Sequence, residues 1–277
     1  MTKTSCDSCP PPTHPATAAA TLSRPATIET PADAATELLM RRRARRSLLD
    51  FTTFTKPDYR VWHHHRLLAE HLDKLLAGEI TRLMVFMPPQ HGKSELVSRR
   101  LPAYAFGRNP DERIIAGSHT YELASEMNAD VQRIMDSDAY RVLFPGTNLP
   151  RPGEREPGER QAKRTSSTFR IAGREGRYRS VGVGGGITGL PCSLGIVDDP
   201  IKSREQADSP AYREKLWQWY TNDFYTRLGK DARVLLTHTR WHRDDLAGRL
   251  LTRQKDRGAD QWTVLNLPAV AGQQPKH

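Results

Sequence analysis

The sequence predicts an α/β fold with a mostly parallel central sheet and helices on both of its faces. Apolar runs that suit buried strands alternate along the chain with segments whose apolar residues recur at helical spacing. A predicted strand at 113–118, followed by a predicted helix at 122–136, shows this alternation clearly. Gly78 is predicted to end one helix, and Ser209 and Asp244 are predicted to cap the starts of two others. Parallel strands need crossover connections, and helices that serve as crossovers cover the sheet.

Length and composition favour one large folded domain and an anionic partner. The chain has 277 residues, enough for one large α/β domain or two small ones. Its net charge of +10 favours an anionic partner, most often nucleic acid. Hydrophobic residues make up 37%, a low share at this length, so we expect part of the chain to be unfolded.

The cysteines and the apolar runs predict a cytoplasmic protein. Three cysteines form no disulfide framework, which suits a reducing compartment. Cys6 and Cys9 have only His14 as a further nearby ligand type, so a closed zinc site is not expected. No apolar run approaches the roughly 18 residues of a membrane span, and the first residues lack the apolar core of a signal peptide.

Two regions are predicted along the chain. Residues 1–46 are rich in Pro, Ala and Thr and are predicted to be a disordered tail. The tail ends in an arginine cluster at 41–46, which either touches DNA phosphates or forms a solvated helix end. Residues 47–277 are predicted to form the folded domain.

A candidate phosphate-binding loop follows the apolar run that ends near Met87. At Gly92 the backbone would come closest to phosphate, Lys93 would reach the outer phosphates, and the Ser94 hydroxyl would bind Mg²⁺. The usual pattern has a further glycine where this chain has Met87, and a surface turn with a solvated lysine is the alternative. The predicted nucleotide-binding residues are Gln90, His91, Gly92, Lys93, Ser94 and Glu95.

A second apolar strand ends at two carboxylates, Asp198 and Asp199. The carboxyl ends of strands in an open parallel sheet face the ligand crevice. Asp198 would hold Mg²⁺, and Asp199 would orient and activate the attacking water. Both can reach one site only at the frayed end of the strand, because successive side chains point to opposite faces. A turn at Asp-Asp-Pro is the alternative.

A basic segment between these motifs predicts a hairpin. Between 151 and 179 the chain has nine basic and four acidic residues. Segments 168–171 and 178–181 flank a glycine-containing turn, as in a hairpin. Such a hairpin could contact a phosphate backbone, contact the nucleotide of a neighbouring subunit, or be a solvated surface loop.

Four stretches, in this order, resemble the large terminase subunit of tailed bacteriophages and prophages. They are MPPQHGKSE at 87–95, GVGGGITG at 182–189, IVDDPIK at 196–202 and TRWHRDDLAG at 239–248. Members of this family are ATP-driven motors that pump DNA into procapsids. The resemblance spans about residues 50–270 and implies an ASCE-type P-loop ATPase domain that binds ATP and Mg²⁺.

The resemblance also implies roles for individual residues. Asp198 would be the Walker B acid, and Asp199 stands at the catalytic position where many relatives have glutamate. Gln90 stands where many relatives have arginine in the loop. An arginine finger supplied by a neighbouring subunit is expected of ring motors. The candidates for coupling or for an arginine finger are Thr237, His238, Thr239, Arg240 and Arg227.

The resemblance implies three kinds of partner: double-stranded DNA, further copies of the chain in a ring on a portal, and a terminase small subunit. It implies a protein of the bacterial host cytoplasm that does not bind a membrane. Full family members continue into an RNase H-like nuclease domain, so no nuclease activity is expected of these 277 residues. The alternative function is a catalytically inactive prophage remnant or a DNA-binding module on the same fold, with Met87 and the charge of +10 in its favour.

Overall fold

The computed structural model describes residues 29–153, 155, 164–187 and 189–269. The helices are α1 (Pro31–Ala44), α2 (Leu48–Thr55), α3 (His63–Ala77), α4 (Leu101–Arg108), α5 (Tyr121–Asp136), α6 (Asp138–Leu143), α7 (Arg204–Asp208), α8 (Pro210–Gln218) and α9 (Leu246–Arg253). The strands are β1 (Arg82–Phe86), β2 (Arg113–Ser118), β3 (Thr168–Arg170), β4 (Arg177–Gly182), β5 (Cys192–Asp198), β6 (Leu228–His238) and β7 (Thr263–Asn266). Two π-helical segments, Glu95–Arg100 and Trp219–Phe224, join α4 and α8 without a break, and a 3₁₀ turn lies at Tyr225–Arg227.

The seven strands form one mostly parallel sheet in the order β3-β4-β2-β5-β6-β1-β7. Every neighbouring pair is parallel except β3 and β4, which are antiparallel and place Phe169 opposite Tyr178. The α/β fold class is therefore confirmed, and so is the hairpin predicted in the basic segment. None of the helices in the described part of the chain is long and apolar enough to cross a membrane.

Both faces of the sheet are buried at its centre, which explains the continuous apolar run of β5. In β5, Leu194 and Ile196 belong to a cluster that lies under α2 to α6, while Val197 belongs to a second cluster on the other face. Trp219 and Phe224 pack into this second cluster. Strands that are covered on both sides have no polar face, so their sequences do not alternate.

Several predicted helix ends are confirmed, and one is wrong. Gly78 ends α3 in the left-handed conformation, with φ of 80°. Ser209 caps α8, whose first residue is proline. The sequence suggested Asp244 as the cap of α9, but Asp245 accepts the capping bond from Gly248 N at 2.8 Å. Asp244 instead binds the guanidinium of Arg249 on the next turn.

The prediction of a disordered tail over residues 1–46 is wrong for α1. Thr30 and Asp33 form a reciprocal capping box, and proline occupies a first-turn position where no N–H is needed. Ala44 is fully buried, and Arg45 Nε donates to the Leu143 carbonyl of α6 at 2.7 Å. Residues 1–28, with Cys6, Cys9 and His14, lie outside the described residues. Composition misled here because the proline starts the helix instead of breaking it.

Candidate nucleotide-binding site

The two sequence motifs meet at the carboxyl ends of three neighbouring strands. β6 lies between β5 and β1, with Asp198 opposite Thr237 and Phe86 opposite His238. The loop 87–94 leaves β1 at this edge, beside the residues that leave β5 and β6. Parallel register therefore brings the loop and the carboxylates together, as predicted.

The backbone of the loop adopts left-handed conformations at two positions. Gln90 has φ of 62° and Gly92 has φ of 78°. A Cβ atom on Gly92 would lie only 2.6 Å from His65 Nε2, so glycine is required by both conformation and space. His65 accepts a hydrogen bond from Trp62 N through Nδ1, and its Nε2 lies 2.9 Å from the His91 carbonyl. With Nδ1 as acceptor, Nε2 donates, and α3 supports the loop from outside.

His65 was not predicted to be a site residue from the sequence. No group of three or more His, Cys, Asp or Glu side chains that could hold a metal is found in the described ranges. The contact of His65 with the loop joins residues 26 apart in sequence. No local pattern signals such a contact, because it depends on how α3 packs beside β1.

The Lys93 ammonium is buried between the two predicted carboxylates. The side chain is 4% exposed, and Nζ donates to Asp199 Oδ2 while lying 3.6 Å from Asp198 Oδ1. The ammonium group attracts both carboxylates, and its attraction to Asp198 is little screened by water because both side chains are almost fully buried. The predicted catalytic and metal-binding residues are thus in direct contact.

Asp198 has hydrogen-bond donors on both of its oxygens. Ser98 Oγ donates to Oδ2 at 2.5 Å, and Thr237 Oγ1 donates to Oδ1. Ser98 lies in the π-helical segment, where Leu101 N bonds to Leu96 O five residues back. Ser98 was not predicted from the sequence, because its role depends on the contact with β5.

Asp199 is held in a strained backbone conformation, with φ of 43°. Its N–H donates to the Thr237 carbonyl at 3.0 Å, and its Oδ1 accepts from Thr239 N at 2.9 Å. His119 Nδ1 lies 3.2 Å from the Asp199 carbonyl. His119 was missed, although its place directly after the predicted strand 113–118 could have indicated it.

The predicted coupling residues connect the site to α9. His238 is fully buried, and its Nε2 lies 3.3 Å from Asp245 Oδ2. Arg240 Nε donates to the same Asp245 oxygen at 2.8 Å, and its guanidinium lies 5.0 Å from the centre of the Phe86 ring. Beside them a cleft of about 710 Å³ opens at the ends of β1, β6 and β7.

Two predicted residues lie away from this contact network. The Glu95 carboxylate pairs with Arg100 Nε at 2.9 Å and with Lys56 Nζ at 3.3 Å, so its side chain supports the helix. Arg227 precedes β6 and bonds to the Thr226 hydroxyl, at the amino end of the strand. A role of Arg227 on a neighbouring subunit stays a prediction.

The donors at the site fit Mg²⁺. The Ser94 hydroxyl and the Asp198 carboxylate are hard oxygen donors, which this ion prefers. Mg²⁺ usually keeps several waters and takes one or two protein ligands together with substrate phosphates. Two oxygen donors beside a phosphate-binding loop are therefore sufficient, and a cage of three carboxylates is not required.

A mostly parallel α/β sheet, a glycine-containing loop after β1 and a carboxylate pair after β5 define a nucleotide-binding domain of the phosphate-loop class. Residues 84–272 match the family described as terminase large subunit, T4likevirus-type, N-terminal. The match covers well over half of the chain, and the chain belongs to this family. No curated protein matches it.

Solved structures with a similar fold include two of the Thermus phage P74-26 large terminase ATPase domain. A point mutant of that domain has a TM-score of 0.48 and 14% identity, covering 78% of this chain and 84% of that chain. The domain without the mutation has a TM-score of 0.46 and 15% identity, covering 78% and 83%. A variant of S. cerevisiae dbp5 bound to gle1 and ip6 has a TM-score of 0.42 and 13% identity, covering 74% and 46%.

Proposed function

We propose that this chain is the ATP-hydrolysing motor domain of a phage DNA-packaging terminase and couples hydrolysis to translocation of double-stranded DNA. The observation that carries the proposal is the contact of Lys93 with Asp198 and Asp199 at the carboxyl edge of the sheet. A lysine from a phosphate-binding loop, beside carboxylates that can hold Mg²⁺ and position water, suits phosphoryl transfer in P-loop enzymes. The family membership supports the same function.

The loop would bind the phosphates of ATP through its backbone. The N–H groups of residues 90–94 lie at the amino terminus of the helix that continues into α4, where the helix dipole favours negative charge. Lys93 would exchange its contact with Asp199 for the outer phosphates. Gly92 allows the backbone to approach them without a side chain in between.

Asp198 and Asp199 would have separate roles in hydrolysis. Ser94 and Asp198 would hold Mg²⁺, which neutralises charge on the transferred phosphoryl group. Asp199 Oδ1 is already occupied by Thr239 N, so Oδ2 is the oxygen that would accept a hydrogen bond from the attacking water. An oriented carboxylate at this position acts as general base and positions the water.

The segment after β6 would transmit structural changes at the site to the surface of the domain. Thr239 N binds Asp199, and the next residue, Arg240, binds Asp245 at the start of α9. A change at the catalytic carboxylate therefore has a short path to α9. This path is the proposed element that couples hydrolysis to movement.

Steady-state ATP hydrolysis, with and without double-stranded DNA, tests the proposal. We expect Lys93→Ala to abolish turnover and most nucleotide affinity, and Asp199→Asn to bind ATP but lose turnover. Lys255→Ala, an exposed lysine beyond α9, serves as the control and should behave like the wild type. Stimulation by DNA would connect the site to translocation, and near-normal turnover of Asp199→Asn would contradict the catalytic assignment.

The same measurement distinguishes the motor function from the alternative function. An inactive remnant or DNA-binding module, which Met87 in the loop and the charge of +10 favour, would bind DNA but not hydrolyse ATP. The ring, the portal, the small subunit, the bacterial cytoplasm and the lack of nuclease activity stay predictions.

A further inference from the structure

The outward face of the β3–β4 hairpin is lined with arginines. Tyr178 and Ser180 of β4 point into the core, and Ser180 Oγ donates to the Ala124 carbonyl of α5 at 3.0 Å. The alternate residues of β4, Arg177 and Arg179, therefore point to the opposite face. Both are only partly buried.

Three of these arginines lie side by side across three strands. Arg170 of β3 pairs with Arg177 of β4, and Arg177 pairs with Arg113 of β2. Neighbouring strands lie about 4.8 Å apart, and every second residue along a strand is about 6.6 Å further on. Arg179 adds a second row on the same face. We call Arg113, Arg170, Arg177 and Arg179 the arginine face.

This arrangement does not stabilise the fold. Like charges directly opposite one another in a sheet are unfavourable. Burial, followed by the charges of Arg170 and Arg113, lowers the pKa of Arg177. Its Nε is buried and has no hydrogen-bond partner among the described residues. Arg113 forms an ion pair with the exposed Glu175, at 3.6 Å.

Among the described residues, the helical cover on this side of the sheet reaches β4 at its carboxyl end, where Val181 is buried in the same cluster as Trp219. A Cβ atom on Gly117 of β2 would lie 2.8 Å from the Trp219 ring, and one on Gly195 of β5 would meet Phe224. The segment that supplies both rings thus covers β5 and the carboxyl end of β2. α5 packs on the other face of β4, and on the arginine face Arg170 is exposed while Arg113, Arg177 and Arg179 are partly exposed.

We propose that the arginine face binds the phosphate backbone of double-stranded DNA. Guanidinium groups bind phosphate oxygens in a planar, bidentate geometry. A flat array of four such groups in two rows suits a repeating polyanion better than a single enclosed phosphate. The choice of DNA as the polyanion rests on the proposed motor function, whereas the array itself does not.

A charge-matched pair of double variants tests this site. Arg177→Gln/Arg179→Gln removes two charges from the arginine face, and Lys255→Gln/Arg257→Gln removes two from exposed positions after α9. Binding to a short fluorescent DNA duplex is measured by anisotropy over a series of salt concentrations. We expect the first variant to bind at least about tenfold more weakly. The slope of log affinity against log salt should become shallower by about 2.

Equal affinity and slope in both double variants would overturn the proposal. Loss of DNA binding in the arginine variant with unchanged DNA-free ATP turnover would support it. If the proposed motor function were wrong, the wild-type protein would show no ATP turnover. If the arginine variant changed only self-association in sedimentation, the face would bind another copy, and the DNA site would be refuted.

Folding is a separate readout. Because the exchange removes like charges from neighbouring strands, the midpoint of thermal unfolding should not fall. If the double variant does not fold, the single variant Arg179→Gln tests the site. The slope of log affinity against log salt should then become shallower by about 1. An unchanged slope in that variant would refute the site.

Discussion

At the scale of single residues, the site depends on hydrogen bonds that hold the carboxylates in place. Asp198 accepts from Ser98 and Thr237, one donor on each oxygen. Ser98 reaches it because the π-helical segment shifts the residues that follow relative to a regular helix. A polar side chain that orients a metal ligand acts on the ligand and not on the substrate.

Ser98 should therefore affect turnover and the Mg²⁺ requirement more than ATP binding. We expect Ser98→Ala to lower kcat by about 10-fold to 100-fold and to raise the Mg²⁺ concentration needed for half-maximal rate, with KM for ATP nearly unchanged. Ser98→Thr keeps the hydroxyl and should restore most of the rate. A purely structural role would leave the Mg²⁺ dependence unaltered in both variants.

At the scale of elements, the strand, loop and helix that follow one another from β1 form the binding unit. The loop conformation depends on Gly92 and on the support that His65 of α3 provides. Another element of interest is β5, which delivers the carboxylates and carries Cys192 at its other end.

Gly92→Ala should impair nucleotide binding without unfolding the protein. A side chain in the left-handed region costs about 1–2 kcal/mol, and the new methyl group would collide with His65. Titration with a fluorescent ATP analogue should show weaker binding. The control is Gly146→Ala, since Gly146 has no left-handed φ and nothing within 4 Å of an added Cβ. Equal loss in both variants would contradict the explanation.

Cys192 should resist alkylation in the folded protein. Burial raises the pKa of its thiol to about 12, so almost no thiolate forms at neutral pH. Treatment with iodoacetamide followed by peptide mass mapping should leave Cys192 unmodified, whereas addition of urea should expose it. Rapid labelling of the native protein would show that β5 opens more readily than its burial implies.

At the scale of the whole molecule, the helices at the amino end of the chain are part of the main core. Ala44, Leu48 and Phe51 belong to the same cluster as β1 and β5 residues. The start of α2 is capped from α3, because Leu48 N donates to both oxygens of Asp73 at 3.1 and 3.2 Å. The burial of Asp73 makes global stability sensitive to pH.

Burial raises the pKa of Asp73 to about 6, above its value of about 4 in the unfolded chain. The folded state prefers the protonated acid, so this contribution to stability is complete below about pH 4 and is lost as the pH rises through about 6. Urea unfolding of wild type and Asp73→Asn should differ by about 2 kcal/mol more at pH 7 than at pH 4, in favour of the variant. A pH-independent difference would show that Asp73 is not responsible.

The sequence by itself determined the elements and the main chemical groups of this protein. Apolar runs and helical periodicity are local signals, and they located β2, α5, the hairpin and the cap at Gly78. The phosphate-binding loop and the carboxylate pair were found because each is a short contiguous motif. The tail was misjudged because composition averages over residues, whereas α1 depends on one cap and one buried face.

Only the tertiary structure decided which distant residues complete the site. His65, Ser98 and His119 act through contacts with the loop or the carboxylates, and no short pattern announces such contacts. The arginine face likewise exists only because the register of β2, β3 and β4 places arginines opposite one another. Register and packing arise from long-range burial, so they determine which side chains become neighbours after the local sequence has determined the elements.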